Sequence, residues 1–311
     1  MLTRAPSTSD RRYAATILAE EHGGAVSRDL LATIGVDDRM VRREVRAGRW
    51  KCHGRQTVAV HTSDLADRAD RWRAVWEVGT GIAALDGVTA LHASGLVGFT
   101  ETLLHVSVKH TAGIHSVPGL RIHKVIRRVP DEILTSGVPR TRPAVAAVRA
   151  ARWAKSDRQA ALVMVMPVQQ GLCSGRQLVE ASRLTQGRNR RRLIKLLARD
   201  IADGAQSLGE LDFAAMCRGR GLPEPSRQAV RRVGPGTAYL DAAWDDIGLA
   251  VEIDGSGHRA GLAVAADNLR QNELALMDET ILRIDLVGLR VNGDRFMDQV
   301  CRAHSKLSGS R

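Results

Sequence analysis

Aromatic side chains make up only 3% of the 311 residues, so any core must be built from aliphatics. The 44% apolar content supplies them, which excludes a disordered chain. Cysteine is equally scarce. Cys52, Cys173, Cys217 and Cys301 lie far apart and form no C-x-x-C, which excludes a disulfide framework and a zinc ribbon and points to reduced thiols. The longest apolar run, AALVMVMPV, is too short for a bilayer and contains Pro167. The opening MLTRAPSTSDRRY has no apolar signal-peptide core, so a cytoplasmic protein with no membrane partner is expected. There is no P-loop, no glycine-rich dinucleotide turn and no G-x-S-x-G elbow. His92, His105, His110, His115 and His123 have no metal-ligand spacing.

Acidic residues are also in deficit. Thirty-four Asp and Glu face 46 Lys and Arg, a net charge of +12. Such a balance favours a polyanionic partner, and nucleic acid is the usual one. A chain of this length should hold two or three domains, and the expected class is a multidomain α+β protein.

Residues 10–62 read as one small unit. RRYAATILAEEHG has helical spacing and stops at Gly23-Gly24. SRDLLATIG opens on Ser27 as N-cap, and DDRMVRREVRAG opens on Asp37 and ends at Gly48. RWKCHGRQTVAVH then folds back at Gly54. Three short helices followed by a hairpin is the order of a winged helix-turn-helix. Arg39, Arg42, Arg43 and Arg46 recur at three- and four-residue intervals, so they share a helix face, with Met40, Val41 and Val45 left for the other. Arg49, Lys51 and Arg55 add charge along the hairpin, and Glu44 alone opposes them. These seven cations are the candidate contacts to double-stranded DNA, since guanidinium forks suit phosphate and guanine edges.

Residues 63–200 read as a mixed α/β middle region. DRADRWRAVWEVG, VTALHASGLVGF and RPAVAAVRAARWA read as helices, LLHVSVKH and GLRIHKVIR as strands. The last helical stretch, QGRNRRRLIKLLARD, is strongly basic. It is open to two readings, a nucleic-acid contact or a solvated face.

Residues 205–311 carry the chemistry. Ser207 and Glu210 form a capping-box pattern, and AYLDAAW and LAVEID flank Asp245-Asp246-Ile247-Gly248, which reads as a hairpin turn. Centred there, the hairpin sets Asp241 opposite Glu252, with Asp254 two residues on and Leu240, Ala242, Val251 and Ile253 as the apolar face. Two carboxylates about 4 Å apart repel by roughly 4 kcal/mol at an effective dielectric near 20, and a hard divalent cation would reverse that sign. His258 follows as a candidate proton carrier. Asp267 and Arg270 share a face of the next helical stretch with Gln271.

The stretch YLDAAW…LAVEIDGSGH…DNLRQNEL…ILRIDL resembles the very-short-patch-repair-like endonuclease domains of the PD-(D/E)XK superfamily, over about residues 205–290. The resemblance implies a restriction-endonuclease-like α/β sandwich. Asp241 and Glu252 would hold Mg2+, Asp254 and His258 would stand among the catalytic residues, and Glu210, Asp267 and Arg270 would support them. Asp254 stands where the superfamily usually has a lysine. GGAVSRDLLATIGVDDRMVRREVRAGRW, with VTALHASGLVGF and GVPRTRPAVAAV, resembles the winged-helix and middle regions of AbiEi-type antitoxins, which repress transcription of their own toxin–antitoxin operons. Two functions follow as expectations. One is a Mg2+-dependent DNA endonuclease. The other is an antitoxin-type repressor with a toxin partner and a nuclease fold kept only as scaffold.

Overall fold

The computed structural model describes residues 7–203, 209–233, 236–254 and 279–309. It shows a mixed α+β protein that divides into two compact units, Met1–Arg149 and Ala150–Arg311, with the division falling inside a helix.

In the first unit, α1 (Thr8–Glu20) is followed by β1 (Ala25–Ser27), α2 (Arg28–Thr33), α3 (Asp38–Arg46), β2 (Lys51–Cys52) and β3 (Thr57–Ala59). The expected caps are present. The Leu30 amide donates to Ser27 Oγ at 3.2 Å and the Met40 amide to Asp37 Oδ1 at 2.8 Å, each satisfying an orphan donor of a first turn. Past α3 the chain turns at Gly48 with φ 65°, a left-handed conformation that favours glycine. Ala15, Ala19, Leu31, Val36, Met40, Val41, Trp50 and Val58 form the core beneath the three helices. The hairpin gains a third strand that the sequence reading did not anticipate. β1 pairs antiparallel with β3, giving the order β1-β3-β2. At three residues β1 is too short to declare a period.

The rest of this unit holds α4 (Asp67–Val78), β4 (Ala84–Leu85), α5 (Gly87–Ala93), β5 (Leu104–Lys109), β6 (Leu120–Val125), β7 (Ile133–Leu134), β8 (Arg140–Thr141) and the start of α6 (Pro143–Trp153). The strands form one mixed sheet in the order β6-β5-β4-β8-β7. A buried ion network anchors it. Arg149 donates to Asp86 Oδ2 at 2.8 Å and to Glu132 at 2.9 and 2.7 Å, and Arg128 reaches Glu132 at 2.8 Å. Asp86, Glu132 and Arg149 are all buried, and charges so placed must be paired.

The second unit opens with α7 (Asp157–Gln169), α8 (Gly175–Leu184) and α9 (Arg191–Asp203). Neither α7 nor α8 was expected. In α7, Ala160, Ala161, Val163, Met164, Val165 and Pro167 are all buried, so its hydrophobicity runs round the helix and shows no one-sided period. Then come α10 (Gly209–Gly219), β9 (Ser226–Val233), β10 (Gly236–Trp244), β11 (Leu249–Asp254), β12 (Thr280–Asp285) and α11 (Leu286–Ser308). The sheet order is β12-β11-β10-β9, mixed as expected, because β11 and β12 are parallel. β9 was missed: the sequence reading assigns nothing to SRQAVRRV, yet it pairs with β10 along most of its length. Phe213 and Cys217 of α10 and Met297 and Val300 of α11 pack with Trp244, Leu249, Val251, Ile253 and Ile284, and a second cluster joins Ala229, Leu240, Ala243 and Ala250. Ser207 lies outside the described residues.

Candidate nucleic-acid interface and acidic hairpin

The arginines of α3 separate into two kinds. Met40, Val41 and Glu44 are buried, which fixes the opposite face outward, and Arg39, Arg42, Arg43 and Arg46 are all exposed. Glu44 is wholly buried and accepts from Arg49 Nε at 2.6 Å and Arg43 Nε at 3.4 Å. The Arg49 hydrogen bond holds the Glu44 carboxyl below the usual carboxylate range. Lys51 is likewise paired, at 2.8 Å from Asp64. Arg39, Arg42, Arg46 and Arg55 have no ion pair among the described residues and are exposed. So the seven candidate cations become four with no ion pair among the described residues and three that share two carboxylates within the fold.

Arg55 sits at the hairpin tip, and the tip is fastened from outside. Glu77 of α4 accepts the backbone amides of Arg55, Gln56 and Thr57 at 2.8, 2.9 and 2.9 Å and the Thr57 hydroxyl at 2.7 Å. Arg28 donates to the Arg55 carbonyl at 2.8 Å and also binds Asp38 at the start of α3. A side chain at Gly54 would place its Cβ 2.3 Å from the Glu77 carboxylate, so any other residue there must displace that carboxylate. Sequence reasoning missed Glu77, whose partners lie about twenty residues away and carry no signal. Glu44 was read only as the acid opposing these cations; its place three and four residues after Val41 and Met40 is the signal that could have put it on the buried face.

The acidic hairpin closes through residues 245–248, with Trp244 opposite Leu249 and Ala242 opposite Val251. One step further along the same register sets Asp241 opposite Glu252, as the spacing predicts. The paired ladder stops short of that step. Asp241 Oδ2 accepts the Ile253 amide at 2.6 Å, so a side chain takes a donor that a strand carbonyl would otherwise receive. The apolar face needs one correction. Ala242, Val251 and Ile253 pack together, but Leu240 belongs to the other cluster, because the regular alternation does not carry through Asp241.

Glu252 is buried and faces Arg283, its in-register neighbour on β12, with Nη2 at 2.9 Å from Oε2. That ion pair was not read from the sequence. Asp241 is half-buried. Asp254 closes β11 in register with Asp285, and Glu210 lies in the first turn of α10; the side chains of both are outside the described residues. His258, Asp267, Arg270 and Gln271 also lie outside them. Arg231 of β9 clasps the hairpin turn, bound to Asp245 and to Glu279 at 2.7 Å, which raises its pKa further. Among the described residues, no group of three histidines, cysteines or carboxylates is gathered as a metal would need.

No helix among the described residues is long and apolar enough to cross a membrane. No family model matches the chain. No curated protein matches it. Among solved structures, a crystal structure of the RV2827C protein from Mycobacterium tuberculosis is similar over 63% of this chain and 78% of that one, at 14% sequence identity and a TM-score of 0.39.

Proposed function

We propose that the protein binds double-stranded DNA through a winged helix-turn-helix formed by α1 to α3 and the β2–β3 hairpin. One observation carries the reading: Arg39, Arg42, Arg46 and Arg55 are exposed with no ion pair among the described residues, on an α3 and a hairpin tip that Glu44, Glu77 and Arg28 hold in place. Rigid, uncompensated guanidinium groups are what phosphate and base-edge contacts require. The resemblance to AbiEi-type antitoxins adds the role of a transcriptional repressor with a toxin partner. The test is a binding titration on the chain's own promoter region against random duplex. Wild type should prefer the promoter, and Arg42→Ala with Arg46→Ala should abolish the preference. Equal affinity for both DNAs would overturn the reading.

The C-terminal hairpin supports a second reading, an endonuclease-like domain. Asp241 accepts the amide of Ile253, the residue after Glu252, where a magnesium ion would take the two acids. Both acids are already engaged within the fold, which favours a scaffold role. Glu252 is charge-matched by Arg283, and Asp241 has one oxygen on a backbone amide. No hydrolytic step is drawn through a metal, and the domain is read as a nuclease-like scaffold. Incubating the protein with supercoiled DNA and Mg2+ or Mn2+ tests this. No nicking is expected. Nicking that disappears in Asp241→Ala would restore the endonuclease function.

A further inference from the structure

Helix α9 presents a second set of cations, in the other unit. Ile194, Leu197, Ala198 and Ile201 are buried on one side. At 100° per residue, Arg191, Arg192, Lys195 and Arg199 fall within about 100° of arc on another side, over roughly 12 Å of helix. Arg191, Arg192 and Arg199 are exposed, Lys195 is half-buried, and Arg188 just before the helix is exposed. None of the five has an ion pair among the described residues.

Two neighbouring arginines are used differently. Arg190 adopts φ 52° and donates to Asp157 Oδ1 at 2.6 Å and to the Ala154 carbonyl at 2.8 Å. Arg152 donates to the Gly187 and Thr185 carbonyls at 2.5 and 3.1 Å. Together they pin residues 185–190 and fix where α9 begins. The basic run is therefore sorted into inward groups that build the turn and outward groups that touch no acid.

That outward stripe works against its own helix. Arg191, Lys195 and Arg199 stand at i, i+4 and i+8, where like charges destabilise. Arg191 and Arg192 also crowd the positive end of the helix dipole, and the first turn has no acidic residue. A face evolved only for solvation alternates signs at these spacings. Bound phosphates reverse both terms. The chemistry also selects among polyanions. No aromatic residue lies between 185 and 203 to stack an unpaired base, which disfavours single strands. The apolar side of α9 is buried in its own unit, which leaves none to enter a lipid surface.

We infer that the Arg188, Arg191, Arg192, Lys195 and Arg199 face is a second DNA contact, one that grips the duplex backbone without reading sequence. It lies in the other unit and does not require the α3 interface. The test uses the full-length protein on a random 30-base-pair duplex, with the salt dependence of affinity as readout. The variant Arg191→Gln/Arg192→Gln/Lys195→Gln/Arg199→Gln should lower the log–log salt slope by about 0.9 for each cation lost from a phosphate, about 2 to 4 in all. Preference for the promoter should be unchanged. The single variant Arg191→Gln should lower the slope by about 0.9, which keeps the test available if the quadruple variant folds poorly. Carrying Arg39→Gln/Arg42→Gln/Arg46→Gln alone, the protein should retain random-duplex binding that the α9 substitutions then remove, and this holds even if α3 reads no sequence. A wild-type slope in both α9 variants overturns the inference, as does a loss confined to single-stranded nucleic acid or to anionic vesicles.

Discussion

Both units bury carboxylates, and they satisfy them differently. In the first unit three acids are met several times over: Glu132 by two arginines and the Val129 amide, Glu44 by Arg43 and Arg49, Glu77 by three amides and a hydroxyl. Glu44 and Glu77 hold α3 and the hairpin tip. In the second unit Glu252 meets Arg283 across parallel strands, and Asp241 accepts the Ile253 amide at the end of a ladder. The contrast is one of source: the first unit's acids draw on helices and turns, the second unit's on neighbouring strands. It also means that acid content alone says nothing about catalysis.

The largest expected effect lies where one arginine serves two buried acids. Arg149→Ala leaves both Asp86 and Glu132 without their shared partner, and should cost about 4 kcal/mol in urea melts. Arg149→Lys should recover only part of that, since an ammonium cannot fork across both carboxylates. A loss below about 1 kcal/mol would show that the network is wetter than its burial implies and would weaken the contrast.

Arg283→Ala probes the same principle in the second unit. Arg283 retains more exposure than Arg149, so the expected cost is smaller, about 3 kcal/mol. The double variant Glu252→Leu/Arg283→Leu should restore most of it, because replacing a buried pair by apolar groups is often near neutral. If Arg283→Ala instead leaves stability unchanged and creates metal binding, Glu252 is a ligand and not a scaffold acid.

How much of this was legible follows from range. Caps at Ser27 and Asp37, the outward α3 arginines and the hairpin centred on residues 245–248 depend on neighbours a few residues apart, and the sequence pattern carries them. Glu77, Arg149 and Arg283 act on partners 17 or more positions away, through folds that no local period encodes. The α3 face showed the charges but not their pairing. Arg43 and Arg49 look the same as Arg42 until Glu44 is seen to be buried beside them.

Glu77→Ala should cost about 2 kcal/mol, since three amides of the hairpin tip lose a charged acceptor and water replaces it only in part. The effect on DNA should be sharper than the effect on stability. With the tip released, Arg55 should lose its fixed position, and promoter preference should weaken while the salt slope stays within one contact of wild type. Gly54→Ala should act alike by pushing the Glu77 carboxylate away. Unchanged promoter preference in both variants would assign Glu77 to stability alone.

The smallest effect is a matter of pH. Hydrogen bonding from Arg49 lowers the Glu44 carboxyl below its unfolded value of 4.5. A depressed acid contributes stability that is complete above the unfolded pKa and is lost as pH falls through the folded one, because only below that point is the proton bound in both states. Wild type and Glu44→Gln should therefore differ most at neutral pH, and their unfolding free energies should converge as pH falls below about 4.5. The comparison cancels the titration of every other carboxylate, which both proteins share. Parallel curves down to pH 3 would mean that Glu44 is not held by Arg49 in solution, and that Arg49 is then free to join the uncompensated arginines of α3.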